Sequence, residues 1–158
     1  MQKLIPVEDA KALMTEAMDW SVWRWLFEKR RVRVAADAAV DALNAQDKKV
    51  KAAWSDDLKK AWRELELESS RSRQKYEQAR QEAKDVPEEI KLALRKVMEA
   101  DDEAETARLD AEDTFDEAER RLSASMAREG ARKAIASWEL REKSIRKAEA
   151  LGRKVQAG

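Results

Sequence analysis

The chain predicts an all-α fold, a long antiparallel coiled-coil helical hairpin that becomes a three-helix bundle at its open end if residues 7–19 fold back. Three observations carry this. Only 3 Gly and 2 Pro occur in 158 residues, which leaves little material for turns. Charged residues make up 42% of the chain, and Ala, Glu, Lys, Arg and Leu dominate it, as in long helices. Strand signals are missing, because no β-branched run alternates with period two.

The organisation expected is one helical domain over 1–158. Residues 1–5 read as an irregular lead-in. Residues 6–33 form a Trp-rich amphipathic N-terminal segment. Pro6 suits a first helical turn, and Glu8 and Asp9 suit the positive end of a helix dipole. Val7, Ala10, Leu13, Met14, Ala17 and Met18 follow at helical spacing. Asp19 or Ser21 can cap a new helix, although neither is followed by the Glu or Gln of a capping box. Whether residues 7–19 fold back or continue the next helix stays open.

A first long helix is expected over 34–84. Its stripe is Ala36, Val40, Leu43, Val50, Trp54, Leu58, Ala61, Trp62 and Leu65, continued more thinly through Ser69, Ser72, Tyr76, Ala79 and Ala83. Such a narrow stripe suits a coiled-coil seam. A turn is expected at 85–88. Asp85 with Glu88 reads as a capping box, with Pro87 in the first turn.

A second long helix is expected over 88–151. Its stripe runs through Ile90, Leu94, Val97, Ala104, Ala111, Phe115, Ala118, Leu122 and Met126, then Ala131, Ile135, Trp138, Ile145 and Ala148. The beat slips near Gly130, which suggests a stutter or bend. Gly152 resembles a C-terminal cap, and 152–158 reads as a frayed tail. At 1.5 Å per residue such helices make a rod of roughly 95 Å. Folded at 85–88, the register sets Phe115 near Leu58, Trp62 near Ala111 and Trp138 near Ala35.

Several chemistries are excluded by residue type. The chain has no Cys and no His, so disulfides, thiolate nucleophiles, imidazole bases and the common zinc ligand sets are out of reach. Gly-rich phosphate loops and nucleophile elbows are not found either. A non-enzyme without metal or cofactor is expected. No apolar stretch reaches the roughly 20 residues that span a bilayer. The N-terminal residues lack the pattern of a signal peptide, so a cytoplasmic setting is expected.

Function points to Trp20–Arg33. Trp20, Trp23, Trp25, Leu26 and Phe27, with Val22, set large apolar side chains almost all round a helix. A second helix alone cannot cover them. Arg24, Lys29, Arg30, Arg31 and Arg33 add five cations against one acid, Glu28, over 24–33. The segment is therefore the candidate interaction surface. It fits self-association or docking of another helical protein, since aromatic and Arg residues anchor interfaces. The alternative is peripheral binding to anionic membrane. An N-terminal amphipathic segment leading into a long hairpin resembles, in layout, the membrane-remodelling hairpins of the phage-shock type. That resemblance implies a lipid-facing end and carries no residue roles.

Two charge features read as solvated faces. Lys29–Arg33 lacks a nucleic-acid motif around it, and the chain is neutral, with 33 basic and 33 acidic residues. Glu99–Glu119 holds eleven acids against Arg108, without the spacing of an EF-hand loop. Its acids are expected to pair with Lys59, Lys60, Arg63, Arg71, Arg73 or Lys75 across the hairpin. Carboxylates and lysines are abundant, but nothing in the sequence marks a pair for catalytic use.

Overall fold

The computed structural model describes residues 5–157. Within them the chain is all-helical, in six helices: α1 (Ile5–Ala17), α2 (Val22–Ala52), α3 (Asp56–Glu68), α4 (Arg73–Glu82), α5 (Glu88–Arg121) and α6 (Ala124–Ala157). The lead-in expected over 1–5 lies mostly outside the described residues, and Ile5 is already helical.

The expected 34–84 helix is divided in three, and the expected 88–151 helix in two. Serine caps account for most of the breaks. Ser21, Ser55 and Ser72 each sit at an extended N-cap and accept the N–H three residues on, from Arg24, Leu58 and Lys75. This satisfies one of the four orphan donors at each helix start. Of the two caps weighed near residue 20, Ser21 is the one used. The capping box expected at 85–88 does not form, because Pro87 is itself the N-cap of α5 and has no side-chain cap bond.

At 122–123 the chain turns without Gly or Pro. Leu122 takes a left-handed conformation, φ 51° and ψ 45°. The Ser123 N–H reaches back to the Ala118 carbonyl at 3.0 Å, and the Ser123 hydroxyl accepts the Met126 N–H at 3.2 Å. That i to i+5 closure is the Schellman end. Where the periodicity suggested a stutter or bend near Gly130, the helix instead ends eight residues earlier, in a full reversal at a leucine.

The long helical pair is consequently α5 with α6, joined at 122–123. Asp101 faces Arg141, Asp110 faces Lys133, and Phe115 lies over Gly130. Helix α2 runs antiparallel to α5, with Lys29 on Glu119 and Lys51 on Asp101. Helix α1 folds back on α2, Glu16 meeting Arg24, and touches α6 through Lys11 and Glu142. Residues 7–17 therefore cover the start of α2. Helices α3 and α4 form a short hairpin on the first part of α5, where Glu64–Lys91 and Glu68–Arg95 share one offset and set α3 parallel to α5.

Two cores result. The larger joins α1, α2, α5 and α6 around Val7, Met14, Trp25, Val32, Leu43, Phe115 and Trp138. The smaller gathers Trp54, Leu58, Leu65, Val86, Leu94, Val97 and Ala148. Half-buried Val50 packs against both. The expected beat of Val97, Ala104, Ala111 and Ala118 is buried throughout. The expected register is replaced: Phe115 stacks on Trp25, with ring centroids 6.5 Å apart, instead of meeting Leu58.

Both described glycines are seats for aromatic rings. A Cβ on Gly130 would stand 2.9 Å from the Phe115 ring, and one on Gly152 would stand 2.9 Å from the Trp54 ring. Trp54 also donates its indole N–H to the Ala148 carbonyl at 2.9 Å. Gly152 is thus inside α6, buried, and is not the C-cap that the sequence suggested; α6 continues through the expected frayed tail to Ala157.

Two substitutions of opposite sign test this account by thermal or urea unfolding. Leu122→Gly relieves the left-handed strain at an exposed position and should raise stability by about 0.5–1 kcal/mol. Gly152→Ala should lower stability, although Ala is the better helix former by about 1 kcal/mol, because the methyl group displaces Trp54.

Candidate functional site

The Trp-rich segment is divided between core and surface. Trp25 is 3% exposed and stacks on Phe115, nearly parallel at 9°. Trp20 is buried beneath the Arg24 guanidinium, which lies 4.8 Å from its ring centroid. Leu26 is half-buried against the larger core. Trp23 and Phe27 point outward, 69% and 87% exposed. They are one helical turn apart, and Val34, 61% exposed, extends the strip two turns further.

The strip borders a groove of about 750 Å³ between α1 and α2. Pro6, Asp9, Ala10 and Leu13 form one wall, and Phe27, Arg30, Arg31, Val34, Ala35 and Ala38 form the other.

The cations expected to face a partner or lipid are mostly engaged within the chain. Arg24 bonds Glu16 at 2.9 Å and Glu28 at 2.8 Å, and Arg31 bonds Glu28 at 3.0 Å. Lys29 bonds Glu119 at 2.7 Å, while Arg33 bonds Asp116 at 2.5 Å and Glu119 at 2.8 Å. Arg30, on the groove wall, enters none of these pairs. The acidic block is used accordingly: its acids meet Lys29, Arg33, Lys51, Lys133 and Arg141 rather than the cations of 59–75.

These bonds move the protonation equilibria. The Lys29 ammonium, bonded to Glu119 with Arg33 behind it, holds the Glu119 carboxyl below its ordinary value. Arg24, then Arg31, does the same to Glu28. Arg108, bonded to both Glu105 and Glu112, lowers Glu105.

A second constellation escaped the sequence reading. Lys51 bonds Asp47 at 3.0 Å and Asp101 at 2.9 Å. Arg141 lies 2.9 Å from Asp101 and 3.1 Å from Asp47. Two cations and two carboxylates from α2, α5 and α6 thus close a four-membered charge ring inside the bundle. Asn44 accepts from Arg141 at 3.4 Å. Asp47 is only 8% exposed, and no protein group donates to its Oδ1.

The ring forms part of the wall of a cleft of about 530 Å³. Val40, Leu43, Trp138 and Trp62 supply its apolar and aromatic surface, and Lys48, Glu66, Asp102, Glu105 and Arg108 surround the ring. The Lys51 ammonium lies 4.1 Å from the Trp62 ring centroid, a cation–π contact. A signal for this layer was present. Asp47 falls midway between Leu43 and Val50, Asp101 between Val97 and Ala104, and Arg141 between Trp138 and Ile145. Each fills the core position that the apolar stripe skips.

Comparison with family models, with curated proteins and with solved structures finds no match to this chain. Among the described residues no group of three or more acidic side chains is arranged to hold a metal ion, and no helix is long and apolar enough to cross a membrane.

Glu119 gives the pH test. Its folded pKa is lowered, so its contribution is complete above the ordinary carboxyl value of about 4.5 and is lost as pH falls through the folded value. Stability should therefore decline below about pH 4.5. Glu119→Gln should cost about 0.5–1 kcal/mol at pH 7, the scale of a partly exposed pair, and should flatten the acid limb of a stability-versus-pH series.

Proposed function

We propose that this chain is a non-catalytic interaction protein that associates with a second copy of itself through the α1–α2 face. The observation that carries the reading is the exposure of Trp23 and Phe27, one turn apart on the border of an apolar groove. Large aromatic side chains held in water on a rigid helix are the usual anchors of protein interfaces.

Self-association is favoured over an unrelated partner because the face carries both halves of a contact. Phe27 is the protrusion, and Leu13, Val34 and Ala38 line the recess. Asp9 stands on one wall with Arg30 and Arg31 on the other. Under a two-fold axis each copy offers the apolar knob and the opposite charge that its mate lacks. The coiled-coil hairpin expected of the chain belongs to this proposal too, with the antiparallel α5–α6 pair as its support.

Binding to anionic membrane is the second reading, supported by the same two aromatic residues. It is weakened by charge: Arg24, Lys29, Arg31 and Arg33 are occupied by acids of the chain, which leaves little cationic surface for lipid headgroups. A cytoplasmic setting goes with the self-association reading.

Light scattering over a concentration series should give the mass of two chains. Phe27→Glu combined with Trp23→Glu should weaken the dimer by roughly thirtyfold or more, as expected for interface hot spots, with an unchanged helical circular dichroism spectrum. A single-chain mass for the wild type at all concentrations overturns the proposal. Salt-sensitive co-flotation with anionic vesicles, abolished by the same pair of changes, puts the membrane reading in its place.

A further inference from the structure

We infer that Leu122, at the left-handed turn between α5 and α6, is an anchor of the self-association surface. That surface wraps the turn end of the bundle, from Trp23 over Leu26 to Leu122, and meets a second copy of this chain there. The inference rests on the self-association reading and adds to it a residue that the α1–α2 groove does not contain.

The first observation is a backbone outlier with no return inside the chain. Among the described residues, Leu122 is the one non-glycine with a positive φ, 51°. A Cβ crowds the backbone in that conformation, and glycine would relieve it. No burial offsets the strain, because Leu122 is 59% exposed and belongs to neither core. The turn itself is closed by backbone, the Ser123 N–H on the Ala118 carbonyl, and glycine at 122 permits the same bond. Strain of this kind collects where a protein binds or switches. What leucine adds over glycine here is an apolar side chain held out in water.

The second observation is position. Lys29 and Glu119 bond at 2.7 Å across the antiparallel α2 and α5, which sets a common height. Leu122 is three residues past Glu119, and Leu26 is three residues before Lys29. At 1.5 Å per residue both stand roughly 4.5 Å beyond that bond, toward the turn end. Leu26 is also only about 60° round α2 from Lys29, so it lies toward α5. It is half-buried, and Trp23, one turn earlier, is 69% exposed. The strip of Trp23, Phe27 and Val34 thus branches at Trp23 and runs over Leu26 to Leu122. A joined apolar surface of this kind marks an interface, where a lone exposed leucine does not.

The third observation is charge, and it selects the occupant. Apart from Arg30, the cations that α2 and α5 place around this end are matched within the chain. Lys29 and Arg33 meet Glu119 and Asp116, Arg24 meets Glu16 and Glu28, and Arg120 and Arg121 meet Glu117. A polyanion gains little there. An apolar surface rimmed by neutralised pairs fits another of the same character, and a second copy supplies it. Under a two-fold axis every contact of Leu122 is made twice.

Sedimentation of the full chain over a concentration series tests this with three variants. Leu122→Gly relieves the turn, and Leu122→Asn tolerates the left-handed conformation; both remove the apolar side chain. Each should keep the helical circular dichroism spectrum and should weaken the dimer by about tenfold or more, the scale of an anchor lost from both copies. Leu122→Met keeps an apolar side chain and should dimerise more tightly than either. If Leu122 only closes the turn, Leu122→Gly gains stability and dimerises as the wild type does. That result, or a dimer unchanged in Leu122→Asn yet lost in Trp23→Glu with Phe27→Glu, overturns the inference and leaves the α1–α2 face in place. A wild type that is monomeric at every concentration overturns both.

Discussion

The close apposition of α5 and α6 is the constraint on which the other helices depend. Both helices present small residues to their seam: Ala104, Ala111 and Ala118 on one, Ala127, Ala131 and Ala134 on the other, all buried. Small side chains let helix backbones approach, but they bury little apolar area of their own. The large residues must then come from elsewhere. Phe115 fills the space over Gly130 and receives Trp25 from α2. Trp54, at the end of α2, fills the space over Gly152 and hydrogen-bonds α6. Helix α2 is therefore pinned at both ends by tryptophans docked against a spine of alanine and glycine. Its own length follows: α2 stops at Ala52 because Trp54 turns into α6 and Ser55 opens the next helix.

Between those two pins lies the charge ring of Asp47, Lys51, Asp101 and Arg141. Apolar residues in all four positions together would pack with less cost in desolvation, whereas one alone would leave its partners' charges buried and unpaired. What the ring adds is directionality. Alanine seams tolerate sliding by a turn, since each alanine resembles the next. Two cations that each bond two carboxylates across three helices cannot slide by a turn without leaving charges buried and unpaired. The ring thus fixes the relative heights of α2, α5 and α6, while the tryptophans fix their lateral contacts.

Helix content was legible in the sequence, and the connectivity was not. Poverty in Gly and Pro, and the beat of Val97, Ala104, Ala111 and Ala118, gave the all-α class and the face that α5 buries. The breaks were hidden because they use serine and leucine. Ser55 and Ser72 satisfy backbone donors as caps, yet serine inside a helix is ordinary, and neither is followed by a capping-box acid. Leu122 at φ 51° carries no turn signature at all. The two glycines misled for a related reason. In the sequence they read as backbone punctuation, whereas both serve side-chain room in unbroken helix. In the Trp-rich segment, residue type alone could not separate Trp25, which is core, from Trp23, which is surface. That division depends on where α1 returns. The charge ring was legible in principle, as charged residues in the gaps of three apolar stripes, but only the folded register shows that those three gaps meet.

The division within the Trp-rich segment sets what would drive the proposed association. Had Arg24, Lys29, Arg31 and Arg33 remained free, the end of the bundle would carry a dense positive field, and attraction to polyanionic surfaces would dominate. The acids of α5 and of α1 quench that field locally, through Asp116, Glu119 and Glu16. Apart from Arg30, the exposed side chains left along this strip are apolar: Trp23, Phe27 and Val34. Removing such area from water is favourable in proportion to the area buried, and it is little affected by ionic strength, whereas screening weakens contacts between exposed charges. The same ion pairs that hold α2 to α5 therefore convert a basic aromatic segment, which by sequence suits lipid, into a nearly neutral apolar face, which by physics suits protein.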